Sequence, residues 1–141
     1  MNSRIQISAK RRRSQAGNTM VETALVITCY LMIVFGIIEF SQATFAWNFV
    51  SYAARNATRY ASVHGATSQT IATAQSVTNV VLAQAVALNT SNLTVSTTWT
   101  PNNQPGSTVQ VKVSYLYKPL LLVVFPNVQT FSSTSQMVIL Q

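Results

Sequence analysis

Residues 23–38 carry no charge, and Leu, Ile, Val, Phe, Met and Ala fill most of their positions. Counted from Asn18 to Glu39 the stretch is 22 residues long, which at the helical rise covers about 32 Å, close to the thickness of a bilayer core. A backbone in lipid must satisfy its own hydrogen bonds, so residues 18–39 are predicted as one membrane-spanning helix. Beyond it, Phe40, Ala43, Trp47, Val50, Ala54, Ala57 and Ala61 recur at spacings of three and four. That stripe predicts a helix continuing to about His64, with Gly65 as its stop. Core packing is the expected role of Trp47; the outer membrane interface is the alternative for it and for Tyr52. A second helix is predicted over 67–88, with Ile71, Ala74, Val77, Val81, Ala85 and Leu88 on one side.

The period then changes to two. Leu93, Val95, Thr97 and Trp99 alternate with polar residues, and after the turn PNNQPG so do Val109, Val111, Val113, Tyr115 and Tyr117. A last strand is predicted over 129–140. These elements make an α+β fold in which a long N-terminal transmembrane helix continues into a small outer domain. That domain holds a second helix and a three-stranded antiparallel sheet. The run LLLVVF at 120–125 is expected to be a buried strand or loop, or else an exposed patch for a partner or the outer leaflet.

Charge adds direction. The formal net charge is +7 from nine Lys/Arg and two Glu. Arg4, Lys10, Arg11, Arg12 and Arg13 precede the apolar run, and only Arg55, Arg59, Lys112 and Lys118 follow Glu39. Four scattered cations make a poor phosphate-binding array, so no nucleic-acid partner is expected. The cluster Lys10, Arg11, Arg12, Arg13 is the topology signal. It keeps the N-terminus cytoplasmic and places the C-terminal domain in the periplasm, with the helix in the inner membrane and lipid around it. A secretory signal peptide is the competing reading, but its best small-residue site, Thr44-Phe45-Ala46, is mediocre, and its apolar core has no use for Glu22.

Little chemistry is available. Glu22 and Glu39 are the only acids and stand 17 residues apart, roughly 25 Å along one helix and too far for paired-carboxylate catalysis. Cys29 lies inside the apolar run as the single cysteine, and one Cys and one His build no zinc site. No enzyme activity, metal or cofactor is expected. His64 is expected to be a loop residue at the helix end. Arg55 and Arg59, one turn apart, either form a solvated basic face or dock an acidic partner such as another subunit.

The string Gly17-Asn18-Thr19-Met20-Val21-Glu22 follows the basic leader and opens the apolar helix. It resembles a type IV prepilin processing site, which implies cleavage by a prepilin peptidase after Gly17, with Glu22 becoming the fifth mature residue. Such a cut would remove five of nine basic residues and create an α-amino group at Asn18, one helical turn from Glu22. Further on, Gly36-Ile37-Ile38-Glu39-Phe40 and the "AARNATRYA" segment at 53–61 resemble the TadE-like family of minor pilins, or pseudopilins, of the tight-adherence (Flp) type IV pilus system. The resemblance covers residues 15–62 and extends weakly to 109–120. It implies a pilin-like division: a cleaved leader at 1–17, a transmembrane helix at 18–39 and an outer α+β domain at 40–141. It also implies pilus assembly for surface attachment, with other pilin subunits and the assembly machinery as partners. Glu22, Glu39, Arg55 and Arg59 are the interface candidates. The alternative is a single-pass envelope protein whose outer domain is a binding module unrelated to pili.

Overall fold

The computed structural model describes residues 3–120 and 127–140, with side chains from Asn18 onward. Helix α1 spans Ser3–Val63 and α2 spans Ala74–Gln84. A short 3-10 turn, Thr90–Asn92, leads into strands β1 (Leu93–Thr100), β2 (Thr108–Tyr117) and β3 (Gln129–Val138). The chain divides into two compact units, residues 1–40 and residues 41–141. The described residues of the first, 3–40, are all helical.

In the second unit the three strands form an antiparallel meander in the order β1-β2-β3. The alternation read from the sequence sets the register. Leu93, Val95, Thr97 and Trp99 pair with Tyr115, Val113, Val111 and Val109, and these pair in turn with Phe131, Ser133, Ser135 and Met137. Paired residues share a sheet face, so this side is the inner one. Val109, Val111 and Val113 are fully buried on it. The other side shows Ser96, Thr98, Gln110, Lys112, Thr134 and Gln136, all exposed. A one-residue slip would exchange these two sets, and that penalty holds the register.

The part of α1 in this unit buries an alanine-rich face. Ala46, Ala53, Ala54, Ala57 and Ala61 have no exposed surface, and Phe49 and Val50 join them. Two hydroxyls sit among these alanines. Thr58 Oγ1 donates to its own helix at Ala54 O (2.7 Å) and lies 3.3 Å from Ser135 O on β3. Ser62 Oγ donates to Arg59 O at 2.9 Å and lies 3.2 Å from Met137 Sδ. The Leu140 N–H, just past β3, donates to Ser62 O at 2.8 Å. Together these tie the end of α1 to β3 while leaving neither buried hydroxyl without an acceptor.

The stripe expected on α1 is thus partly rotated. Val50, Ala54, Ala57 and Ala61 are in the core, but Phe40 and Trp47 are exposed, at 74% and 54%. Trp47 packs at the core's rim, edge-to-face on Phe131 with ring centroids 5.7 Å apart. Alanine at the closest approach explains the rotation, since an indole there would hold helix and sheet apart.

The ends of the helices also differ from expectation. α1 stops at Val63, but positive φ among the described residues falls at Ala87 and Gly106, so Gly65 is not a left-handed stop. His64 does that work instead. Its ring stacks on Tyr60 at 4.2 Å, and Nδ1 lies 2.8 Å from Tyr60 O. A carbonyl only accepts, so Nδ1 carries the hydrogen. The second helix begins at Ala74 rather than near 67. Residues 66–72 are instead held by Ala66 N–H donating to Asn103 O (2.8 Å) and Ala72 N–H donating to His64 O (2.7 Å). Thr73 then caps α2 through a reciprocal box with Ser76. Val77 and Val81 are buried as expected, while Ile71 is exposed. Of the apolar run at 120–125, Leu120 is exposed, and the expectation for the remainder lies outside the described residues.

Because α1 meets the sheet through alanines, Ala57→Leu is expected to destabilise the second unit by about 1–3 kcal/mol through overpacking. Thr44→Leu, at an exposed position of the same helix, should stay within about 0.5 kcal/mol. Thermal unfolding of the detergent-solubilised chain, followed by near-UV circular dichroism, checks both. Equal effects from the two would contradict the alanine contact.

Candidate functional site

The candidate residues fall on α1. Gly17 and Asn18 lie within it, and glycine is worth about 1 kcal/mol less than alanine in a helix interior, so this peptide bond sits at an intrinsically weak point. Asn18 and Glu22 are both exposed and stand at i and i+4, a spacing that puts their side chains about 5–6 Å apart. A carboxylate so placed can reach an α-amino group made at Asn18, or one offered by a neighbouring chain.

From Met20 to Ile38 the large apolar side chains of α1 are exposed, among them Leu25, Ile27, Met32, Ile33 and Ile37. Among the described residues this is the one helix long and apolar enough to cross a membrane. Its polar positions are suited to that setting. Thr23 Oγ1 donates to Thr19 O and Thr28 Oγ1 to Ala24 O, each at 2.8 Å. Both hydroxyls are thereby spent on their own helix instead of being left bare in hydrocarbon.

The two acids are in different circumstances. Glu22 is exposed, whereas Glu39 is buried, at 8% exposure, and engaged. The sequence placed Glu39 at an interface and carried no sign of that burial. Arg55 and Arg59 are exposed on the side of α1 away from the buried alanines. Sequence reasoning missed their neighbours. Phe45, Asn48 and Tyr52 precede them at steps of three, four, three and four, and all five are exposed. The signal was present as helical periodicity, but it is a mixed polar and aromatic stripe, which a search for apolar positions passes over.

Residues 17–59 match the family model described as TadE-like protein. The TadE-like match opens on Gly17 and closes on Arg59, so it takes in Glu22, Glu39 and Arg55 as well. The basic cluster at 10–13, α2 and the whole sheet fall outside the TadE-like segment. No curated protein and no solved structure matches the chain.

Cys29 is exposed on the apolar part of α1 and is the single thiol, which makes it a reporter of surroundings. A charged reagent does not enter hydrocarbon. A membrane-impermeant maleimide should leave Cys29 unlabelled in membrane vesicles of either orientation and label it fully after SDS. Labelling in intact vesicles would mean that this stretch of helix meets water.

Proposed function

We propose that the protein is a minor pilin, or pseudopilin, that takes part in assembling a tight-adherence (Flp) type IV pilus for surface attachment. The role is structural and not enzymatic. The observation that carries the reading is the TadE-like match over residues 17–59, which begins at Gly17 and runs through the apolar helix. Residues 18–39 hold the protein in the inner membrane, with Lys10, Arg11, Arg12 and Arg13 on the cytoplasmic side. A prepilin peptidase cuts between Gly17 and Asn18. The mature chain keeps four Lys/Arg and two Glu.

Leaving the bilayer exposes the apolar side chains of 20–38, and packing against helices of other pilin subunits offsets that cost. Glu22 sets the register of such packing by pairing with the amino terminus of a neighbouring subunit. A misplaced neighbour would leave the carboxylate buried and unpaired, costing about 3–5 kcal/mol. The helix therefore serves twice, first as anchor and then as assembly surface.

N-terminal sequencing of the protein from envelope fractions tests the processing step. A mature start at Asn18 is expected. A start at Trp47 would mean ordinary signal-peptide cleavage, and an intact leader would mean a simple anchor. Gly17→Phe should accumulate the precursor and abolish incorporation into sheared pili. Glu22→Gln separates the two roles: cleavage should persist while incorporation falls. Unchanged incorporation in Glu22→Gln would remove the carboxylate from the assembly step.

A further inference from the structure

The outer unit displays a face whose chemistry specifies its partner. Phe45, Asn48, Tyr52, Arg55 and Arg59 stand three or four residues apart in turn along α1, which places them on one side of the helix. All five are exposed, Phe45 at 49% and Tyr52 at 62%. The opposite side is the alanine face already committed to the sheet. Two aromatics and two arginines with a polar residue between them match the composition that dominates protein–protein interfaces, where Tyr and Arg supply most of the binding energy.

Charge decides what can sit there. Residues 41–141 contain Arg55, Arg59, Lys112 and Lys118 and no Asp or Glu. Lys112 is exposed on the outer side of the sheet and Lys118 follows β2, so both arginines of the unit are gathered within one turn of this helix face. A second copy would bring the same four cations and no side-chain carboxylate from its own outer unit. The two acids elsewhere are poor candidates: Glu39 is buried and engaged, and Glu22 opens the membrane-length stretch. Guanidinium groups take carboxylates in a bidentate fork, and opposite charge across an interface sets partner choice. Lipid headgroups are a weaker fit. Arg55 and Arg59 lie 14 and 18 residues beyond Ser41, roughly 21 and 27 Å along the helix, whereas a headgroup layer is only about 5–8 Å deep.

We infer that the Phe45–Asn48–Tyr52–Arg55–Arg59 face docks a different protein through carboxylates on that protein's surface, and not a second copy of this chain. The inference deepens the pilin reading by naming the chemistry of one assembly partner, and rests on it only for where that partner is met. The arginines fix orientation through their paired hydrogen bonds. Phe45 and Tyr52 supply the apolar contact that holds the pair together.

The test uses the full chain in detergent micelles and a fluorescent helical peptide bearing glutamates at every fourth position, read by anisotropy. Arg55→Ala/Arg59→Ala is expected to weaken binding at least about tenfold, and Tyr52→Ala to weaken it as well. Lys112→Glu, which changes the charge by the same two units on the outer side of the sheet, should change it by less than about threefold. Equal losses in the arginine double variant and in Lys112→Glu would mean diffuse attraction and overturn the proposal. A second arm places a photocrosslinker at position 52 in cells. Adducts should join the chain to a peptide of another protein with flanking Asp or Glu, and should vanish in Arg55→Glu/Arg59→Glu. A homodimeric adduct overturns the proposal. So does a tenfold loss confined to anionic phosphatidylglycerol vesicles, with the peptide arm unmoved. Peptide binding by the purified chain does not depend on cleavage after Gly17, so failure here and failure of the pilin reading are separate results.

Discussion

The second unit depends on how closely one helix can approach one sheet. Methyl groups at Ala46, Ala53, Ala54, Ala57 and Ala61 make up most of the buried face of α1, and all are fully buried. Val109, Val111 and Val113 form the central row of the inner sheet face, equally buried. Small against branched is what allows backbone and sheet to come close at the packing density of an organic crystal. It also brings Thr58 and Ser62 within reach of β3, where larger neighbours would have lifted them away. Trp47 and Phe131 are consequently left at the margin. They meet edge-on, and Tyr117 lies 5.6 Å from Phe131.

This economy of side chains is paired with an economy of charge. The apolar part of α1 contains no cation, and the second unit contains no acid. Surface polarity there rests on Ser, Thr, Asn and Gln, which are also the residues that cap and bind the loops. Asn102 shows the pattern: its Oδ1 accepts from Gln104 N–H at 3.0 Å and from Ser107 Oγ at 2.7 Å. Gly106, with φ of 87°, then donates its N–H to Ile139 O at 3.0 Å, joining the β1–β2 turn to the end of β3. Neutral polar groups thus supply the closures that ion pairs provide elsewhere.

Much of this could be read from the residues. A change of period from about 3.6 to two is unambiguous when valines alternate with Gln, Lys and Ser, so the strands and their facing sides were legible almost to the residue. The length and apolar character of residues 18–39 carried the long N-terminal helix equally well. Two features were hidden for physical reasons. Residues 66–72 hold Thr67, Ser68, Thr70 and, just beyond, Thr73, each a possible cap, and the choice among them is made by long-range bonds to Asn103 and His64. The core face of α1 was hidden because alanine is a weak hydrophobic signal beside tryptophan, yet close packing prefers it. The interface candidates were visible as residue types, but the burial of Glu39 is a property of the folded chain alone.

The absence of Asp and Glu from residues 41–141 reaches beyond partner choice. Proteins unfold in acid largely because carboxylates that are ionised and bonded in the native state become protonated. This unit has no side-chain carboxylate to lose, and its buried contacts are made by alkyl groups, hydroxyls and amides. Acid tolerance is thus written into the composition of the second unit, independently of what it binds.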